Sequence, residues 1–242
     1  MFRAKCDAKI LKDIVNIASP IVNEAKLVLN KDGLNCKAVD PAHVAMFDLE
    51  IKKEAFIEWE CKEDLELGID IDKMSQIMKL AEDIVTIEQE EETNRLIIKL
   101  GNLTRTLTLI DTSGMPDPKM PNLELPGLVI LDKNEISRAV KGAESITDHI
   151  RLTVKKDGFE VFGEGDVDSI TLKLDKSMVE KLQTSEKVTS LFSIDYFLNC
   201  IKNVVDKLSL NIGNDNPIKI SYDFAENKGH VTYLVAPRIE SE

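Results

Sequence analysis

In residues 8–18 the apolar side chains Ile10, Leu11, Ile14, Val15 and Ala18 recur at three- and four-residue intervals, with Lys9, Lys12, Asp13 and Asn16 between them. That spacing describes a short amphipathic helix packed by one face. Asp7 suits its N-cap, and Pro20 disfavours helix beyond Ser19. The period then changes. Residues 25–29 alternate, a Lys31-Asp32-Gly33 turn follows, residues 34–39 alternate, and 44–51 do so again after the Asp40-Pro41 break, which predicts three strands joined by turns. The same order returns as a strand at 65–71, a helix at 73–81 with Met74, Ile77, Met78 and Ala81 inward, and strands at 84–90, 95–100 and 104–110. Helices at 133–143, with Ile136, Ala139, Val140 and Ala143 inward, and at 196–205, with Phe197, Cys200, Ile201, Val204 and Val205 inward, mark two further units.

The chain is duplicated. At an offset of 125, Lys31-Asp32-Gly33 falls on Lys156-Asp157-Gly158, Leu27 and Leu29 on Leu152 and Val154, and Ala45, Phe47 and Leu49 on Ile170, Leu172 and Leu174; at an offset of 123, Ile71-Asp72 falls on Ile194-Asp195 and Lys79 on Lys202. A difference in loop length accounts for the slip. Residues 112–128 carry four of the eight prolines without a sustained period and read as an extended connector. The expected fold is α+β: two similar domains, 1–111 and 129–242, each of two strand-helix-strand-strand-strand units, with short helices on one face of antiparallel sheets.

Charge sharpens the functional question. Thirty-one Lys and Arg against 43 Asp and Glu give 242 residues a net charge of −12, so the overall field repels nucleic acid and anionic membrane, and phosphate binding needs a local basic patch. No apolar run has the length of a membrane helix, and the N-terminal stretch lacks a signal-peptide core. Cys6, Cys36, Cys61 and Cys200 form no Cys-x-x-Cys pair, which fits reduced, mostly buried thiols.

Five stretches occur in order along the duplicated chain: Met1-Phe2; Asp40-Pro41-Ala42-His43-Val44-Ala45; Asp72-Lys73-Met74-Ser75-Gln76-Ile77-Met78-Lys79; Leu123-Glu124-Leu125-Pro126; and Leu234-Val235-Ala236-Pro237-Arg238-Ile239-Glu240. With them the chain resembles the sliding clamps of the proliferating cell nuclear antigen family over essentially its whole length, nearer in length to archaeal members than to the longer eukaryotic ones. The resemblance implies a DNA-clamp fold in which three subunits close head to tail into a ring around duplex DNA, helices lining the hole. It implies a processivity factor for replicative DNA polymerase and a docking platform for replication and repair proteins, with no catalysis and no cofactor. The implied partners are duplex DNA without sequence preference, the chain itself as a trimer, and an ATP-driven clamp loader, DNA polymerase, flap endonuclease and DNA ligase docking through short peptide motifs. The expected location is cytoplasmic and nucleoid-associated in an archaeon, nuclear in a eukaryote.

Lys9, Lys12, Lys79, Arg138, Lys141 and Lys202 lie on polar helix faces opposite the apolar stripes, so a basic lining is available to an acidic chain. Were all of them in three chains to neutralise phosphates at once, the salt slope would be roughly −16; a sliding ring needs only a fraction of them in contact, without base readout. The acidic clusters at 58–60, 63–64 and 88–92 are expected away from the hole. The family pattern places a partner-peptide groove at Val39, His43, Met46, Leu123, Leu125, Pro126, Pro217, Leu234, Ala236 and Pro237. Leu234 stands where many family members carry a second tyrosine after the one matching Tyr233, which alters a wall of that groove. It also places the subunit interface between an edge strand at 104–111, where Thr104, Thr106 and Thr108 alternate with apolar residues, and a neighbour's strand at about 168–175, with Ile170, Leu172 and Leu174.

Other classes have less support. There is no Walker A loop, no Gly-x-Ser-x-Gly and no complete Gly-x-Gly-x-x-Gly, since Gly163–Asp168 ends in Asp, and His43, His149 and His230 are too dispersed for a triad or a metal set. Glu164, Asp166 and Asp168 lack EF-hand spacing and read as an acidic turn. The alternative retained is a clamp-fold scaffold, or one subunit of a heterotrimeric checkpoint-type or paralogous clamp.

Overall fold

A computed structural model describes residues 2–239, with the side chain of Glu91 left aside; Met1 and Glu240, from the first and last of the five stretches, lie outside it. The described residues form two compact units, one of residues 2–119 with 223–231 and one of 120–222 with 232–239.

The first unit runs β1 (Phe2–Asp7), α1 (Ala8–Ala18), β2 (Glu24–Asn30), β3 (Gly33–Val39), β4 (Ala45–Lys52), β5 (Glu58–Cys61), β6 (Leu65–Asp70), α2 (Ile71–Met78), β7 (Ile84–Glu90), β8 (Arg95–Leu100) and β9 (Leu103–Thr108). One antiparallel sheet has the order β5-β1-β7-β8-β9, and a second set joins β4, β3, β2 and β6 through hairpins and the β2–β6 pair. The helices pack on each other and on these strands. Ile10, Leu11, Ile14, Val15 and Ala18 of α1 are all buried, as are Met74, Ile77, Met78 and Ala81 around α2, burial stabilising the fold by about 1.5–3 kcal/mol for each side chain larger than alanine.

The second half of the sequence repeats the plan: β10 (Gly127–Asp132), α3 (Lys133–Glu144), β11 (His149–Val154), β12 (Gly158–Glu164), β13 (Ser169–Asp175), β14 (Lys181–Gln183), β15 (Val188–Ser193), α4 (Ile194–Ile201), β16 (Lys207–Ile212), β17 (Ile218–Phe224) and β18 (Gly229–Val235), with residues 223–231 counted in the first compact unit. Its strands follow the orders β13-β12-β11-β15, a four-stranded sheet, and β14-β10-β16-β17-β18, a run within a larger sheet. The register read from sequence is borne out element by element: β3 recurs in β12 at 125 residues, and α2 in α4 at 123.

Three local differences have physical causes. Helix α2 begins two residues before the expected 73, because the Asp70 carboxylate accepts the Lys73 N–H at 2.8 Å and caps the helix at that point; α4 follows the same register from Ile194. Val205, expected inward, is 72% exposed because α4 ends at Ile201 and the chain turns before it. Strand β9 stops at Thr108, and Ile110 instead donates its N–H to the Gly68 carbonyl at 2.8 Å; a Cβ on Gly68 would lie 2.2 Å from the Ile110 oxygen, so glycine is required there. The Lys-Asp-Gly turn is built on Gly33, whose φ is +149° and where a Cβ would stand 2.0 Å from the Ile51 carbonyl oxygen, so no side chain fits.

Candidate DNA-facing and partner-docking sites

The helix pairs carry the six cations expected to face DNA, but the structure sorts them into three states. Lys79, Lys141 and Lys202 are exposed and have no carboxylate partner among the described residues; Lys79 and Lys202 are the C-cap residues of α2 and α4. Lys9 pairs with Asp13 at 3.3 Å and Arg138 with Glu135 at 2.9 Å, each within one helical turn; the exposed Arg138–Glu135 pair opens at a cost of only about 0.5 kcal/mol. Burial pushes the Asp13 carboxyl above its ordinary value, while Lys9 beside it pulls the other way. Lys12 is half-buried, and its ammonium donates to the Ala81 carbonyl at 2.6 Å.

Lys133, at the start of α3, was not among the expected residues. Its Nζ donates to the carbonyls of Lys202 at 3.0 Å and Val204 at 2.6 Å, and burial, with Lys141 nearby, lowers its pKa. The helical period marks Lys133 as a polar-face residue, but its partners lie some 70 residues away and no local signal announces them.

Both strands expected at the subunit interface are sheet edges. β9 pairs only with β8, and Thr104, Thr106 and Thr108 are exposed. Leu103 on the same strand is 44% exposed, and Leu80 and Ile84 nearby line a cleft of about 280 Å3 with Leu100 and Gly101. β13 pairs only with β12. Ile170 and Leu172 are half-exposed while Leu174 is buried, and a Cβ on Gly142 of α3 would meet Ile170 at 2.5 Å. The three apolar residues thus lie toward the helix, and the free feature of β13 is its backbone edge.

The residues assigned to a peptide groove fall in both units. In the first, Val39 and Met46 are register partners at the end of the β3–β4 hairpin, both half-buried. The loop between them is organised by the buried Asp40 carboxylate, which accepts N–H groups from Ala42 at 3.2 Å, Val44 at 2.7 Å and Ala45 at 2.6 Å. His43, exposed at its tip, has a φ of +56°.

In the second unit, Leu123 and Leu125 are half-buried and Pro126 is exposed along a stretch without regular structure. Leu125 and Pro126 line a cleft of about 560 Å3 with Gly213, Asn214 and Asn216. Pro217, Ala236 and Pro237 are half-buried. Leu234 is only 5% exposed and packs as the end of β18, so it offers little surface in the single chain. The following segment is tied down at Arg238, whose N–H donates to the Leu191 carbonyl at 2.7 Å and whose guanidinium lies 2.6 Å from Nε2 of His149; Asp148 contacts the other ring nitrogen.

Three of the four cysteines are buried and Cys61 is half-buried, all as free thiols. Among the described residues no helix is long and apolar enough to cross a membrane.

Two α+β units related by internal duplication, each backing a pair of short helices with antiparallel sheets, define a two-domain clamp fold. The family model described as "Proliferating cell nuclear antigen, N-terminal domain" matches residues 1–111, and its C-terminal counterpart matches 119–238. The DNA polymerase sliding clamps of Methanosarcina barkeri and Methanocella arvoryzae are 40% and 39% identical to the chain over the full length of both proteins. Among solved structures, A. fulgidus PCNA bound to the C-terminal region of FEN-1 superposes with a TM-score of 0.95 at 31% identity over the whole of both chains. A proliferating cellular nuclear antigen from Entamoeba histolytica reaches 0.89 at 18% identity, covering 98% of this chain and 99% of that one, a likeness of fold alone. The chain belongs to the proliferating cell nuclear antigen family.

Proposed function

We propose that three copies of this chain close head to tail into a ring that encircles duplex DNA and slides along it. The protein acts as a DNA sliding clamp: it keeps DNA polymerase on its template and serves as a platform for replication and repair proteins. The role is that of a scaffold, without a catalytic step. The observation that carries the reading is that the helix pairs of a chain whose net charge is −12 hold three exposed cations, Lys79, Lys141 and Lys202, with no carboxylate partner among the described residues. Exposed ammonium groups on the helix pairs let an acidic chain meet a polyanion there in spite of its overall field. If these three in each of three subunits met phosphate together, the salt slope would be roughly −8, half that of the full set of six, in keeping with mobile contact.

Ring closure rests on β9 of one subunit pairing with β13 of the next. Both strands have a free backbone edge, and their apolar neighbours Leu103, Ile170 and Leu172 have area left to bury. A head-to-tail contact of this kind is heterologous and closes when its rotation fits three copies. Val39, His43, Met46, Leu123, Leu125, Pro126, Pro217, Leu234, Ala236 and Pro237 are the residues that serve in docking short peptide segments of a clamp loader, a polymerase, a flap endonuclease and a ligase. Work on DNA in an archaeal cell places the ring at the nucleoid.

The test is polymerase synthesis on a primed circular template with Lys79, Lys141 and Lys202 all changed to Ala. Stimulation is expected to disappear while light scattering still gives three times the 27.1 kDa chain mass. Unchanged product length with the triple variant sinks the DNA contact, and a monomeric mass for the unaltered protein sinks the self-sufficient ring.

A further inference from the structure

The two helix pairs are joined by the same contact made from different residues. In the first unit the Ala8 N–H donates to the Asp83 carbonyl at 2.6 Å, and the Lys12 ammonium donates to the Ala81 carbonyl at 2.6 Å. In the second, the Lys133 N–H donates to the Asp206 carbonyl at 2.9 Å, and the Lys133 ammonium donates to the Val204 carbonyl at 2.6 Å. The repeat register equates Ala8 with Lys133, Asp83 with Asp206 and Ala81 with Val204. It equates Lys12 with Ser137, however. The acceptor is therefore kept while the donor moves by one helical turn, from the fifth position of α1 to the first position of α3.

The acceptors explain why a cation is needed. Carbonyls in the turn just beyond the end of a helix have no intrahelical partner. Ala81 and Val204 are both buried, so water is a poor substitute. Lys79 and Lys202, both exposed and without a carboxylate partner among the described residues, cap those same helix ends two residues earlier. Anything that fixes the turn fixes where those two ammonium groups stand.

We propose that Lys12 and Lys133 are positioning residues: each clasps the end of the second helix of its unit, setting the place of Lys79 or Lys202 while itself neutralising no phosphate. The part played toward DNA rests on the ring reading above; the clasp itself does not. An ammonium committed to carbonyls and partly withdrawn from solvent releases no counterion when DNA enters, so it adds nothing to the salt slope.

The experiment uses the full-length protein and a nicked duplex, with binding followed across a salt series and thermal midpoints measured in parallel. Lys12→Met and Lys133→Met retain the aliphatic stem and remove the donors. Each is expected to lower the midpoint by a few degrees and leave the salt slope unaltered. Lys79→Met with Lys202→Met should do the reverse, reducing the slope by about 0.9 for each phosphate no longer neutralised, and should cost less affinity when the clasps are already gone. Ser137→Lys, at a half-buried position, moves the donor to where the first unit has it and should restore the midpoint of Lys133→Met. An unchanged midpoint, a failed restoration, or a slope reduced by the clasp variants themselves overturns the proposal. If the Lys79 and Lys202 changes leave DNA binding untouched, the ring reading fails; a midpoint loss reversed by Ser137→Lys then still upholds the clasp as a purely structural contact.

Discussion

Replacing Asp40 by alanine tests whether one buried carboxylate builds the loop that carries His43. Its oxygens accept three backbone N–H groups, from Ala42, Val44 and Ala45, at 2.6–3.2 Å. Ala42 is exposed, so water replaces that bond at little cost; Val44 is half-buried and Ala45 is buried. Losing two hydrogen bonds to a charged acceptor, one of them leaving a buried donor unsatisfied, costs about 3 kcal/mol. For a chain of this size that corresponds to a fall of roughly 6–12 °C in the thermal midpoint. Asp40→Asn keeps one oxygen able to accept from Val44 and Ala45 and should cost about 1 kcal/mol, the charge assistance alone. Calorimetry ranks the two variants, and amide hydrogen exchange locates the effect, with the Val44 and Ala45 amides losing protection before those of β2. An Asp40→Ala protein with wild-type midpoint and wild-type exchange at Ala45 would refute the assignment.

Glu88 accepts from Lys99 at 2.8 Å and from Arg3 at 3.1 Å, and these partners hold its carboxyl below the ordinary value. Its contribution, about 0.5 kcal/mol for a pair open to solvent, is complete above pH 4.5 and is lost as the pH falls through the lowered value of the folded protein; urea unfolding of Glu88→Gln should approach the unaltered protein only at the acid end. Arg238→Ala removes the side-chain contact to His149 and keeps the backbone bond to Leu191, so the segment after Pro237 loses one of its two ties; affinity for a docking peptide, read by fluorescence anisotropy, should fall while the circular dichroism spectrum stays the same. Burial pushes the thiols of Cys6 and Cys36 up to about 12 and that of Cys200 higher still, so a thiol reagent at neutral pH should modify Cys61 first and the other three only on unfolding. Rapid modification of all four in the native protein contradicts that burial.

Much of the architecture was legible in the chain because burying one face of a short element leaves a period behind. The buried set of α3, namely Ile136, Ala139, Val140 and Ala143, is the one its spacing marks out, and the duplication places α3 and α4 from α1 and α2 to the residue or nearly so. The strands of three and four residues, β14 and β5, leave no readable alternation, since a period needs more repeats than they contain. Helix ends were shifted where a single side chain such as Asp70 decides the cap.

The candidate sites divide along the same line. Sequence alone put Lys79, Arg138, Lys141 and Lys202 on polar helix faces, because which face is polar is a local property. It could not separate free cations from committed ones. Lys12 and Lys133 meet carbonyls 69 and 71 residues away, and only tertiary packing brings those partners within reach. The same holds for Leu234, which reads equally as surface or core until the strand around it is folded, and for the free edges of β9 and β13, since a strand is an edge only by virtue of what the rest of the chain leaves unpaired.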